Sequence, residues 1–283
     1  MTPSPTISVY GLGIIGTRVL ARLRQQGFTA CGWNRNPRPE LDGVSQDLAA
    51  TARDADIHQV FVRDGPAVLA VIDGLLPHLR PGRTVVVHAT ISPEEMKEAA
   101  RRVEAAGAAF LEAPFTGSRE ASAAGNLVYF TGDDADVLES IRPVLAASSK
   151  AIVPCGRVGD ASVLKIATNM VTVSIVQALA EGLAVVKAAG LDPASFRPAV
   201  ENNACRSGTS DMKLATMIAG EFAPHFSLKN MLKDARLGLA LAAAAGVELP
   251  ALGRTAAVME RLAADPAQAD QDFSLLARQF ELA

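Results

Sequence analysis

The chain has 283 residues, 49% of them hydrophobic and 20% charged, with a formal net charge of −3 and a pI near 5.9. That length accommodates two domains with a sizeable core, and the charge leaves no basic excess for nucleic acid or an anionic membrane. Cys31, Cys155 and Cys205 are odd in number, scattered and without CxxC spacing, so neither a disulfide framework nor a metal centre is predicted. The longest uninterrupted apolar run, residues 237–247, is mostly alanine and too short to cross a bilayer. No charged segment followed by an apolar signal region opens the sequence, and the expectation is a cytoplasmic protein.

A short apolar strand over residues 7–10 runs into Gly11-Leu12-Gly13-Ile14-Ile15-Gly16, followed at once by an amphipathic run over residues 17–26. Strand, GxGxxG and helix in that order predict a dinucleotide site. Gly11 makes the tight turn, Gly13 admits the pyrophosphate, and Gly16 lets helix and strand pack closely, with the helix N-terminus facing the phosphates. The second strand, residues 29–33, ends in Asn34-Arg35. An enzyme reading the free ribose of NAD usually carries an acid there, whereas Arg35, with Asn34 and Arg38 beside it, suits a 2′-phosphate; NADP is therefore expected over NAD.

Strands over 57–62, 84–88 and 109–112 alternate with helices over 67–79 and 93–106, which predicts right-handed crossovers and a mostly parallel, doubly wound sheet. Thr90, in the loop after the 84–88 strand, is a candidate for the nicotinamide ribose, since Ser92 is better placed to cap the helix opening at Pro93. His58 and His88 have no second ligand or carboxylate at useful spacing and are read as strand residues without a chemical role. Residues 113–118, Ala-Pro-Phe-Thr-Gly-Ser, form a turn rich in backbone donors and hydroxyls that can hold a carboxylate. Strands over 126–131 and 151–153 with a helix over 133–146 complete a first domain, residues 1–160.

From residue 161 onward no strand pattern remains, and residues 161–283 are expected to form an all-helical domain. It opens with a helix over 161–189, ~40 Å long at about 1.5 Å per residue. Apolar residues run nearly all round this helix, which predicts a homodimer or homotetramer. Further helices are expected over 193–201, 212–219, 228–245, 251–264 and 273–280. Lys165 and Asn169 stand at i and i+4 near the start of the long helix and share one face, which suits a proton donor and the amide that orients its target. No His, Tyr or metal constellation elsewhere offers a donor for a developing alkoxide. Lys233-Asp234 is charged within an apolar helix, either as a solvated stripe or as a pair turned inward.

In chain order, Gly11 to Gly16, Glu112 to Ser118, Gly156 to Asn169 and Lys233-Asp234 resemble the motifs of the β-hydroxyacid dehydrogenase family over essentially the full length. Within the family the pattern is most similar to the glyoxylate and succinic semialdehyde reductases. The resemblance implies a Rossmann domain followed by an all-α domain, and an NADPH-dependent reductase of small aldehyde or keto acids that runs reversibly as a 3-hydroxyacid dehydrogenase. It implies that Thr116 and Gly117 hold the substrate carboxylate and that Lys165 is the catalytic acid with Asn169 positioning it or the substrate. Phe226 and Asp234 would line the cleft, and Lys233 would help bind the cofactor. Thr116 stands where the family usually has Ser, and Ala89 where a Ser commonly precedes Thr90. The competing readings are a dinucleotide-binding interaction or sensing module without catalysis, and an imine reductase, whose representatives usually replace this Lys.

Overall fold

The computed structural model describes residues 4–132 and 135–280. It divides into two compact units, Met1–Lys165 and Ile166–Ala283.

The first unit carries nine strands among the described residues: β1 (Ile7–Tyr10), β2 (Ala30–Trp33), β3 (Val44–Ser45), β4 (Ile57–Val60), β5 (Thr84–Val87), β6 (Ala109–Glu112), β7 (Phe115–Thr116), β8 (Leu127–Gly132) and β9 (Ser149–Gly156). They form one sheet in the order β3-β2-β1-β4-β5-β6-β8-β7, with β9 beside β8. Pairing is parallel from β3 through to β6 and between β8 and β9, and antiparallel where β8 meets β6 and β7. Helices α1 (Ile14–Gln25), α2 (Leu48–Ala52), α3 (Gly65–Leu75), α4 (Pro93–Ala105), α5 (Arg119–Ala124) and α6 (Ala135–Ala146) connect the strands.

Both faces of the sheet are covered, and this explains the unbroken apolar runs of its central strands. Along β5, Val85 and Val87 join the core that contains Ile72 and Met96, while Val86 joins the opposite core with Leu23 and Ile141. Side chains alternate between faces along a strand, so one valine run serves two cores.

The second unit is helical: α7 (Asp160–Ala188), which begins in the first unit, then α8 (Phe196–Glu201), α9 (Gly208–Ala219), α10 (Leu228–Ala244), α11 (Pro250–Ala263), α12 (Pro266–Ala269) and a closing 3-10 segment, Phe273–Phe280. One face of α7, through Val173, Val176 and Leu183, enters a core shared with Met231 of α10 and Met259 of α11. At Gly238 a Cβ would lie 2.7 Å from Met170 Sδ, so α10 presses on α7 where it has no side chain. The closing segment is held by a buried ion pair. Lys213 Nζ donates to both oxygens of Asp272 at 2.7 and 2.8 Å, and Asp272 also accepts the backbone N–H groups of His225, Phe226 and Ser274.

The long elements lie where the hydrophobic periodicity places them, with ends shifted by a few residues. The helix expected over 67–79 stops at Leu75 and continues as a 3-10 turn, Leu76–His78, because Pro77 has no N–H to extend the helix. The strand expected over 151–153 runs instead from Ser149 to Gly156 as β9, with Pro154 tolerated because β8 is its one recorded neighbour in the sheet. The start of the helix expected over 133–146 falls at residues 133 and 134, outside the described residues. The strands β3 and β7 and the helices α2, α5 and α12 were not anticipated; each has six residues or fewer, too short for periodicity to register. The uninterrupted apolar run 237–247 lies at the end of α10 and just beyond it, and α7 is the helix, among the described residues, long and apolar enough to cross a membrane by length and composition. This helix has 29 residues and a mean hydropathy of 1.6 over its most apolar window, a test that core helices of soluble proteins also pass.

Two imidazoles lie wholly inside the sheet. His58 Nδ1 meets the Tyr10 hydroxyl at 3.0 Å, and His88 is bracketed by the Ala113 carbonyl at 2.8 Å and Gln59 Oε1 at 3.1 Å. Burial holds both down at about 3. A base whose folded-state value is depressed is stabilising when neutral, so the unfolded chain binds more protons between about pH 6.5 and pH 3, and stability is lost as the pH is lowered through that window. At pH 5 each histidine is expected to cost about 2 kcal/mol relative to pH 7. Urea unfolding at the two pH values checks this: the midpoint should drop clearly at pH 5, and coincident midpoints would show that neither ring is held neutral.

Candidate active site

The sheet order reverses beside β1, and in open α/β sheets a ligand crevice forms outside the strand ends at such a point. Gly11 leaves β1 with a φ of +93°, and a Cβ on Gly16 would lie 2.1 Å from the Gly11 carbonyl oxygen. Loop and helix can therefore close on each other only with glycine at both positions. At Gly13 a Cβ would meet nothing within 4 Å, so the space outside the loop is open. Gly13 is also the N-cap of α1. It supplies no capping side chain, and the first turn, with Ile14, Ile15 and Gly16, holds no acid. The helix N-terminus thus offers N–H groups and a positive dipole end to an anion.

Asn34, expected to help Arg35 with a 2′-phosphate, ties the loop down. Its Oδ1 accepts the Leu12 N–H at 2.9 Å and its Nδ2 donates to the Asn36 carbonyl at 2.9 Å. Arg38 donates to the Leu12 carbonyl and, at 2.5 Å, to Glu40. Arg35 stands exposed just beyond β2. Open space at Gly13 and an uncapped helix start fit the phosphates of a dinucleotide. Thr90 is half-buried after β5 and is not the helix cap: Ser92 caps α4 through a reciprocal capping box with Glu95.

Thr116 and Gly117 are exposed at the end of β7. Gly117 adopts a φ of +145° and sits where a Cβ would fall 2.7 Å from Leu127 Cδ2. The Ser118 hydroxyl accepts the Ala121 N–H and begins α5.

The start of α7 is built around a carboxylate. Glu112, the last residue of β6 and wholly buried, accepts the N–H groups of Gly159 through Oε2 and of Ser162 through Oε1, both at 2.6 Å. Burial pushes its carboxyl above the ordinary value, and hydrogen bonds from Ser162 and Gly159 pull the other way. Asp160 accepts the Arg157 N–H at 2.9 Å and completes the turn. Lys165 and Asn169 follow on α7 at 7% and 8% exposure, so neither is a solvated surface group. In the second unit Asn169 Nδ2 donates to Asp234 Oδ2 at 2.6 Å, and Lys233 Nζ donates to Asp234 Oδ1 at 2.6 Å. Asp234 is 1% exposed, which removes the solvated-stripe alternative for this pair. Phe226 is half-buried, edge-on to Phe273 with ring centroids 6.3 Å apart.

Residues 6–156, more than half of the chain, match the family model for the NAD binding domain of 6-phosphogluconate dehydrogenase. Residues 159–280 match that for the NAD-binding region of NADP-dependent 3-hydroxyisobutyrate dehydrogenase. The chain belongs to the β-hydroxyacid dehydrogenase family. Members are NAD(P)-dependent oxidoreductases acting on CH–OH groups. Among relatives of this dehydrogenase-family chain, 2-hydroxy-3-oxopropionate reductase of Escherichia coli (strain K12) is 31% identical over 248 residues, 85% of each protein. The cytokine-like nuclear factor N-PAC of Mus musculus is 29% identical over 277 residues, covering 97% of this chain and 50% of that protein. The chain thus spans about half the length of the N-PAC relatives it matches. The solved structure of Mycobacterium tuberculosis 3-hydroxyisobutyrate dehydrogenase with L-serine superposes with a TM-score of 0.87 at 26% identity, covering 98% of this chain and 99% of that one.

Two structural roles in this family member were missed from sequence. The turn beginning at Glu112 was recognised, but not the function of its first residue; the available signal was an acid ending an otherwise apolar strand. Asn34 was read for its neighbour's charge, although an amide at the end of a strand beside a glycine loop is well suited to bonding that loop's backbone.

Proposed function

We propose that this chain is an NADPH-dependent reductase of small aldehyde or keto acids, running reversibly as a 3-hydroxyacid dehydrogenase with Lys165 as general acid and base. The observation that carries the reading is a lysine buried on α7 one turn before an asparagine whose amide is fixed at 2.6 Å by a buried aspartate. A lysine loses hydration on burial, and an asparagine so constrained presents its remaining polar atom in one direction; both fit a site rather than a surface.

When bound, the nicotinamide supplies the hydride to the carbonyl carbon. As that carbon gains hydrogen with its electron pair, negative charge builds on the carbonyl oxygen and the Lys165 ammonium donates a proton to it, leaving an amine that water reprotonates. Oxidation of the alcohol reverses the transfer, with the amine as base. Thr116 and the N–H groups of its turn would take the substrate carboxylate. A three-carbon hydroxyacid skeleton is supported by the name of the Escherichia coli relative and by the L-serine of the mycobacterial structure.

A second reading, a dinucleotide-binding module serving interaction or sensing, is favoured by the N-PAC relatives, whose name is that of a nuclear factor. Lys165 and Asn169 favour catalysis over this reading, since both are buried one turn apart on α7 and Asn169 is held by the Asp234 carboxylate. The outward side of α7 supports self-association: Leu164, Val171, Ala178 and Val185 are exposed at intervals of seven residues, the repeat of a helix-pairing seam. We read the chain as a homodimer or homotetramer through this row.

Activity is to be sought with glyoxylate, succinic semialdehyde, 2-hydroxy-3-oxopropionate, 3-hydroxyisobutyrate and L-serine, in both directions and with both cofactors. On the best of these, Lys165→Met is expected to lower kcat by ~10² to 10⁴ while cofactor affinity stays near wild type. Turnover close to wild type in this variant would remove Lys165 from the chemistry. NADP is expected to bind roughly ten- to a hundredfold more tightly than NAD through one charge-assisted contact. Arg35→Ala should erase most of that difference; equal dissociation constants in the wild type would refute the preference. Sedimentation should give a dimer or tetramer at micromolar concentration, with Val171→Glu shifting it toward monomer, and a monomeric wild type would count against the seam.

A further inference from the structure

One turn before the proposed proton donor, the start of α7 is fastened to a buried carboxylate. Glu112 ends a central strand and is wholly buried, and each of its oxygens takes one backbone N–H from the beginning of α7 at 2.6 Å. The two donors, Gly159 and Ser162, are three residues apart and straddle the first turn. A carboxylate bridging them fixes both the helix's axial position and its rotation about its own axis, which a single cap bond would leave free. Ser162 is three residues before Lys165, a rise of ~4.5 Å and nearly one turn, so the rotation set at Ser162 is inherited by the lysine. Two further contacts leave this carboxylate little freedom. A Cβ on Gly132 would approach Glu112 Oε2 to 2.6 Å, and Gly159 holds a φ of +102° that brings its N–H to the carboxylate.

We infer that Glu112 is a positioning residue for the reaction: by clasping the Gly159 and Ser162 N–H groups it sets the direction in which α7 presents Lys165. The inference rests on the general-acid reading of Lys165 and adds the residue that aims it. Glu112 is wholly buried, with both carboxyl oxygens engaged by backbone N–H groups. Its influence passes through the helix backbone, and misplacing a proton donor by about 1 Å is enough to cost on the order of a hundredfold in rate.

Glu112→Gln tests this with an isosteric side chain. One oxygen remains to accept an N–H, while the other position becomes an NH₂ facing a backbone donor, which opens half of the clasp. The expected result is a kcat at least tenfold lower on the best substrate, a dissociation constant for the cofactor within twofold of wild type, and amide hydrogen exchange at Gly159 and Ser162 at least tenfold faster. In a Lys165→Met background the same change should leave kcat essentially unaltered, because there is no longer a donor to aim. A folded Glu112→Gln protein with kcat within twofold of wild type overturns the inference, as does an effect that multiplies in full with that of Lys165→Met. Should Glu112→Gln not fold, Glu112→Asp replaces it, keeping the charge with one methylene less reach. A several-fold loss of kcat at unchanged cofactor affinity supports the inference, and kcat within twofold of wild type refutes it. The two readings fail separately: an active Lys165→Met variant removes the general acid and this inference with it, whereas an inactive Lys165→Met beside a fully active Glu112→Gln removes only the positioning role.

Discussion

A buried carboxylate bonded to two backbone amides at the start of a 29-residue helix is the constraint on which the chemically distinctive part of this chain depends. Strand β6 ends at that carboxylate and α7 begins there, so a strand end and a helix end share one fastening. Burying the acid is costly, and the cost is offset by amides that the helix itself leaves without partners. Neither partner is satisfied alone. That mutual need explains why the turn after Gly156 must be short and why Gly159 must adopt a conformation that a side chain would oppose.

The first unit was legible because its information is local and repeated. β1, the glycine loop and α1 follow one another within twenty residues, and each has a pattern with a physical meaning of its own. The valines of β5 likewise announce a strand buried on both sides. The second unit was legible as helices but not as an arrangement, because the bond between Asn169 and Asp234 joins residues 65 apart in sequence and no periodicity reports it. The same holds for Lys213 and Asp272, which sequence reading passed over entirely. For Asn34 and Glu112 the residue was noticed and its work misjudged. Both are polar groups at strand ends whose partners are backbone atoms, and backbone atoms carry no sequence signature.

The polar groups inside the sheet show a related economy. Tyr10 meets His58, and His88 meets Gln59 and the Ala113 carbonyl while stacking on Phe61 with ring centroids 4.1 Å apart. These residues tie β1 to β4, and β5 to its neighbours, in addition to the main-chain ladder. They do so with neutral rings, so these cross-links bury no formal charge, in contrast with the Lys213–Asp272 pair.

The three glycines of the phosphate loop differ in what enforces them. Gly16 is required by the Gly11 carbonyl oxygen, a backbone atom that no compensating side-chain replacement can move aside, and Gly11 is required by its own dihedral angle and by the backbone of Phe61. Gly13 is required by nothing within the fold. A lineage under selection for folding alone would therefore keep the outer two and drift at the middle one. In descendants of such a chain, Gly13 is where a record of abandoned nucleotide binding would first be written.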